Sequence, residues 1–261
     1  MASVQRRNNF QIWCDVVFAL FVREIKSQFN DKVGISWAVI NPLIFIFFLS
    51  YFRSLISGNI THYMPTLVFM IYGMLMVRMF LSVFDSTASA INKNKALFAF
   101  RQVQPISTII ATAVFELLTI VFVVIVLMLI LYLLNIGIHI SDPITILLCI
   151  VNVWLLAVGL GLAFAVARAF VPEIEKLRAL IQRPLFFMSG IFFSLKDIPK
   201  EYWYIFDWNP ILHAVELSRD AAYPMFNAQG VSLSYMYLCT LVLVAFSLFA
   251  YQACWKRVLS R

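Results

Sequence analysis

The stretch "ISTIIATAVFELLTIVFVVIVLMLILYLL", residues 106 to 134, decides how this chain is read. A helix needs about 20 mostly apolar residues to cross a bilayer. This run exceeds that length and carries a single ionisable group, Glu116. On its left lie Lys93, Lys95 and Arg101, while the loop on its right, "NIGIHISDP", has no Lys or Arg. Basic residues collect on the cytoplasmic side of membrane proteins, so the run is oriented as well as located.

Working outward, windows of the same kind fall at 36–57, 66–88, 144–168 and 232–254, with a weaker one at 172–195. The expected fold is all-α and integral to a membrane, one domain over residues 1–261 with six transmembrane helices. Composition agrees: 62% of residues are apolar or aromatic and 13% charged, against roughly half and a quarter in a soluble domain. Arg6, Arg7, Arg23, Lys26 and Lys32 precede the first window, Arg168, Lys176, Arg178 and Arg183 surround the start of the fifth, and Lys256, Arg257 and Arg261 end the chain. The loop "SGNITHYMP" has no Lys or Arg. Both termini are therefore expected in the cytoplasm. The net charge of +7 is this asymmetry and argues against a nucleic-acid partner.

Cys14, Cys149, Cys239 and Cys254 have no ligand or disulfide spacing, and most fall in apolar runs as small buried side chains. The first apolar run, "IWCDVVFALFV", lacks a small-residue cleavage site, so no signal peptide is expected. His62, His139 and His213 sit far apart in loops on the outer side and read as solvated residues rather than metal ligands.

Two segments on the inner side do not span. Residues 11–30 place Phe18, Val22, Ile25 and Phe29 on one helical stripe, with Asp15, Lys26 and Asn30 away from it. Such a helix lies along lipid headgroups, either as an anchor or as a platform for a cytoplasmic partner that includes Arg23 and Glu24. In residues 92–103, Asn94 is expected to cap a short helix over Ala96 to Arg101, presenting Phe98 and Phe100 beside Lys95 and Arg101, with Pro105 stopping it. Exposed aromatics beside basic groups suit a knob that enters a groove on another protein; the alternative is a connector tucked against lipid.

Ionisable groups at membrane depth must face protein or water. Arg78 and Glu116 lie at similar depth on neighbouring antiparallel windows, so an Arg78–Glu116 ion pair is expected. The fifth window opens at Pro172, and if it crosses as a helix Glu173, Lys176 and Arg183 share one face, a wall for polar, anionic cargo. Gly159, Ala163 and Ala167 recur every four residues and suit close helix packing.

The chain has no phosphate-binding G-x-x-x-x-G-K-[ST] loop, no H-E-x-x-H and no G-x-S-x-G. A secondary transporter would show internal repeats, and none is evident. An enzyme acting on lipid-linked sugars would need acids clustered at one face, whereas Asp85, Glu116, Glu173 and Glu216 are scattered in depth. What remains is a transporter subunit that borrows its energy.

The order of amphipathic helix, "VGISWAVINPL" (33–43), "ALFAFRQVQPIS" (96–107) and "WNPILHAVELSRDAAYP" (208–224) resembles the ABC-2 type permeases, in particular the capsular polysaccharide export permeases of Gram-negative bacteria. The first two motifs are shared with O-antigen and teichoic acid exporters. The resemblance runs over nearly the whole chain. It implies a non-enzymatic inner-membrane subunit that forms a homodimer with the pore at its axis. It also implies two copies of an ABC ATPase that hold ATP and Mg, no cofactor or metal in this chain, a periplasmic adaptor and an outer-membrane export protein. The cargo implied is a lipid-linked acidic polysaccharide. Asn94 to Arg101 would form the coupling helix in the ATPase cleft.

The resemblance also implies short re-entrant helices at the outer mouth in residues 196–223. There Asn209 and Pro210 start a helix that runs to about Ala222, with His213, Glu216 and Asp220 on one flank, Arg219 nearby, and Ile211 and Val215 opposite. Tyr202, Trp203, Tyr204 and Trp208 suit either an interfacial aromatic belt or stacking against sugar rings. Together with Lys176 and Arg183, these aromatics and His213, Glu216 and Arg219 are the expected polysaccharide pathway.

Overall fold

The computed structural model describes residues 8–29, 34–100 and 102–260. Eight helices follow in order: α1 (Asn9–Phe29), α2 (Gly34–Ser57), α3 (Thr66–Lys93), α4 (Pro105–Leu133), α5 (Pro143–Phe170), α6 (Ile174–Met188), α7 (Pro210–Ala222) and α8 (Leu233–Ser260). A two-stranded hairpin, β1 (Ile60–Thr61) with β2 (Met64–Pro65), joins α2 to α3. Single 3-10 turns lie at Lys95–Ala99, Leu195–Asp197, Lys200–Ile205 and Pro224–Phe226.

Local chemistry sets the helix starts. Pro105, Pro143 and Pro210 each open a helix, where a missing N–H costs nothing. Asp142 caps α5 by accepting from the Ile144 and Thr145 amides, and the Thr145 hydroxyl donates to the same carboxylate.

Among the described residues four helices are long and apolar enough to cross a membrane: α3, α4, α5 and α8. The chain is thus a multi-pass membrane protein. α2 has 24 residues, of which Ile40–Ile56 form a shorter apolar helix. The window at 172–195 differs from expectation. Its helix, α6, has 15 residues and starts at Ile174 rather than Pro172, so it reaches about 22 Å against a core of about 30 Å. The helix stops because Gly190 turns left-handed at φ +73° and Asn209 Nδ2 donates to Met188 O and Ser189 Oγ. One side chain therefore closes α6 and, through Oδ1 accepting from Ile211 N–H, opens α7.

α3 is the axis of the fold. Its apolar window is 72% buried, while those of α4 and α8 are 17% buried and leave the rest exposed. α3 packs against α2, α4, α5 and α7, and α5 packs against α8. The small residues of α5 serve two partners. Gly159 faces Val244 of α8 as the spacing suggests, but the tightest approach is at Gly161, where a Cβ would fall 1.8 Å from Thr87 Oγ1 of α3. Polar ties cross the bundle as well: Thr240 Oγ1 donates to Asn152 Oδ1 and Trp154 Nε1 to Ala113 O.

α1 lies against α4, with Ile12, Trp13, Val16, Leu20 and Glu24 half-buried. Phe18 of the apolar stripe is 66% exposed, whereas Val22 and Ile25 of the same stripe are half-buried. Arg23 is exposed, and Cys14 is exposed rather than buried.

Candidate functional site

At the end of the bundle that carries Lys93, the short turn Lys95–Ala99 links α3 to α4. Asn94 does not cap it. Its Nδ2 donates back to Ala90 O at 2.8 Å, because α3 runs one turn further than expected and its last carbonyls need donors. Phe98 is half-buried against Ala90, Ile91 and Ile109, so only Phe100, 65% exposed, projects from the turn beside exposed Lys95. Arg101 lies outside the described residues.

The α6 helix divides its charges between two faces. Arg178 bonds the carbonyl of Asp85 at 2.9 Å and its carboxylate at 3.2 Å, Gln182 donates to the same carboxylate, and Glu175 accepts from both Arg178 and Arg168. This network pins α6 to α3 and α5. Glu173, Lys176 and Arg183 stay exposed on the other side, together with Leu180 and Phe187.

At mid-depth the expected Arg78–Glu116 pair does not form. Glu116 takes hydroxyls from Ser82 and Ser86, both at 2.5 Å, which satisfy one oxygen each. Arg78, one turn from Ser82 on α3, turns instead to α2, where its Cζ lies 4.4 Å from the centre of the Phe45 ring. Serines at four-residue spacing next to Arg78 were the available signal that the carboxylate has neutral donors.

The opposite end holds a polar chain that runs from the surface into the core. His62 Nε2 meets Asp197 Oδ1 at 2.9 Å, Asp197 Oδ2 accepts from Ser194 N–H, and Ser194 Oγ donates to Glu216 Oε2 at 2.7 Å. Glu216 Oε1 takes Arg219 at 3.1 Å. Arg219 is fully buried and uses every donor: Nε and Nη2 to Phe69 O, Nη2 also to Ile191 O, Nη1 to Phe193 O and to Glu216. Its guanidinium lies over the Phe69 ring, in a notch left by Gly73, where a Cβ would come within 2.6 Å of Nη2.

Burial pushes the Glu216 carboxyl up, opposed by the charge of Arg219 and the bond from Ser194. Burial brings Arg219 down to about 10, opposed by Glu216, so the guanidinium remains protonated at neutral pH. The His62 bond first, and the Ser194 amide after it, hold Asp197 below the usual carboxylate range.

These positions correct the reading of α7. Glu216, Arg219 and His213 are buried, as are Ile211 and Val215 on the other side, because α3, α5 and α8 enclose the helix. His213 is not a solvated loop residue. Its Nδ1 accepts from Ser232 N–H and its Nε2–H donates to Asp207 O, a neutral tautomer that burial favours by holding its pKa down. Of the aromatic cluster, Trp203 is half-buried and donates to Ile198 O, whereas Tyr202, Tyr204 and Trp208 are exposed. Thus the structure gathers Tyr202, Tyr204 and Trp208 on an exposed rim and withdraws His213, Glu216 and Arg219 into its support.

A membrane bundle with a projecting turn at one end, a braced aromatic rim at the other and no enzymatic motif fits a transporter's membrane domain. Residues 15–223 match the family described as ABC-2 type transporter, and the chain belongs to that family. It is 37% identical over 255 residues to the polysialic acid transport protein KpsM of Escherichia coli, covering 94% of this chain and 96% of that one. It is also 26% identical over 259 residues to the capsule polysaccharide export inner-membrane protein CtrC of Neisseria meningitidis serogroup B, covering 94% and 90%. With the corresponding protein BexB of Haemophilus influenzae it shares 24% over 208 residues, 78% of this chain and 77% of that one.

Proposed function

We propose that this chain is the membrane subunit of an ATP-driven exporter that moves a lipid-linked capsular polysaccharide across the bacterial inner membrane. The observation that carries this is the similarity to the polysialic acid transport protein over 94% of the chain. Two copies would form the channel and two ABC ATPase subunits would bind on the cytoplasmic side, with ATP and Mg on those subunits. α2 and α6, with the turn that follows α6, would complete six crossings, leaving both termini in the cytoplasm. A periplasmic adaptor and an outer-membrane protein would take the polymer onward.

In this reading Phe100 and Lys95 on the projecting turn meet the ATPase, with Arg101, Asn94 and Phe98 setting the turn and Arg23 and Glu24 of α1 beside it. Support comes from the connection of that turn: α3 runs directly into it, and Arg178 ties α3 to α6, the helix that presents Lys176 and Arg183. A displacement of the turn would therefore reach the charged face of α6 through hydrogen bonds rather than through lipid. Exposed Tyr202, Tyr204 and Trp208 would guide sugar rings at the periplasmic mouth, where aromatic faces meet C–H patches.

The test is polymer location in cells that lack the chromosomal copy. Restoring the chain should return polymer to the surface, and Trp208→Ala or Arg183→Gln at normal abundance should leave it inside. Surface polymer without any copy of the chain would refute the assignment.

A further inference from the structure

The polar chain that ends in Arg219 is buried along one half and open along the other. Ser194, Glu216 and Arg219 have no exposed surface, whereas the side chains of His62 and Asp197 are 23% and 37% exposed. The open half joins two surface elements. His62 sits at the tip of the hairpin between α2 and α3, and Asp197 lies in the turn that leads from α6 to the aromatic rim.

The hairpin tip is preset for this contact. His62 and Tyr63 take left-handed backbone angles, φ +48° and +65°, which a bulky side chain rarely adopts. Such a conformation persists where the surroundings over-determine it. Here these are the pairs Ile60–Pro65 and Thr61–Met64, the Thr66 amide on Asn59 O and the Thr66 hydroxyl on Gly58 O. The His62 ring also packs against Phe69 and Phe226, with ring centres 6.0 and 5.8 Å away. The rim is held more loosely. Its turn, Lys200–Ile205, has no buried residue, and the indoles of Trp203 and Trp208 bond within the segment, to Ile198 O and Ile205 O. Its far end is tied to α8 by the Tyr235 hydroxyl, which donates to Trp208 O. Its near end is tied by Lys196, which donates to Phe226 O, and by Asp197.

Asp197 is where these elements meet electrically. Its Oδ1 takes His62, its Oδ2 takes the Ser194 amide, and the positive charge of Arg53 on α2 also acts on it. The other charged groups around His62 are Glu216, which is paired with Arg219, and Lys196, whose ammonium lies over the Phe226 ring. A neutral His62 donates one N–H to the Asp197 carboxylate. A protonated His62 makes the same bond as an ion pair, which is stronger. Histidine is the side chain that ordinarily changes charge between pH 5 and 8. Asp197, held below the usual carboxylate range, keeps its negative charge across that interval. We propose that His62 and Asp197 form a pH-sensitive latch, tighter in acid, that fixes the aromatic rim to the hairpin between α2 and α3. It rests on the export reading above and adds regulation to it: the rim that would guide sugar rings moves more freely at neutral pH and is clamped in acid.

The test is amide hydrogen exchange of the full-length chain in zwitterionic lipid nanodiscs at pH 8 and pH 5.5, with rates corrected for their intrinsic pH dependence. Protection of residues 195–206 relative to α3 should rise roughly fivefold in acid, the step from a neutral to a charge-assisted bond. His62→Gln keeps an N–H donor without the titration, so its rim should show the same protection at both pH values. Asp197→Asn removes the counter-charge and should lose the rise as well, which guards against a glutamine that distorts the hairpin tip. Protection of α3 should be the same in all three chains. An unchanged rim in the wild type, or a rise that survives either substitution, overturns the latch. Loosening of the rim in acid assigns the response to His213, whose Nδ1 loses the Ser232 amide on protonation, and also overturns it. The measurement contains no polymer, so the latch can fail while export stands, and loss of the export reading leaves the exchange result unaltered.

Discussion

Two arginines set the terms for this protein. Arg219 is fully buried, pairs with Glu216 and spends every N–H on an acceptor. Arg78 is half-buried in a span and, among the described residues, meets the Phe45 ring and no carboxylate. Both are costly to place. The difference is that the cost of Arg219 is offset within the chain, whereas that of Arg78 is not.

The comparison can be broken most easily at Arg219. Arg219→Met leaves Glu216 buried and three carbonyls without their donors, and should cost about 3–5 kcal/mol, seen as loss of folded protein on gel filtration in detergent. Gly73→Ala should act in the same direction by filling the guanidinium notch. A second contrast lies in α6. Arg178→Ala removes the tie to α3 and should destabilise by roughly 1–2 kcal/mol, discounted for water at Asp85 and Glu175, while reducing export more than ATPase turnover. If ATP hydrolysis and export fall in equal proportion, the tie is structural only.

Arg78 and Glu116 give a sharper discrimination. Exchanging them, Arg78→Glu with Glu116→Arg, should rescue nothing, because Glu116 is held by Ser82 and Ser86 and not by Arg78. Recovery of stability in the double variant relative to the singles would restore the ion pair. The smallest effect is at Asp197. Its carboxyl is held below the usual range, so its contribution is present above about pH 4, the unfolded value, and is lost as pH falls through the folded one. The melting difference between wild type and Asp197→Asn should therefore persist at pH 5 and shrink under stronger acid.

Much of the fold was legible because it rests on local rules. The spans at α3, α4, α5 and α8 follow from length and hydropathy, and the α7 start follows from Asn209 and Pro210. The failures share one cause, that a helical flank does not reveal what covers it. His213 and Glu216 look like an exposed polar edge by spacing, yet α3, α5 and α8 close around them. Asn94 has the acceptor of an N-cap, but it is its amide N–H that bonds, donating to the end of the helix behind it. On α6 the spacing puts Glu173, Lys176 and Arg183 on one face, and that face is exposed, but it does not reveal that Glu175, Arg178 and Gln182 bond α3 and α5.

The most direct measurement is export per folded permease, surface polymer divided by membrane-inserted chain, for Arg183→Gln beside Arg219→Gln. A charged α6 face along the export route, as proposed above, predicts that Arg183→Gln accumulates normally and exports less per folded chain than the wild type. It predicts that Arg219→Gln accumulates poorly but exports in proportion to what is folded. Normal export per folded chain in Arg183→Gln would contradict it.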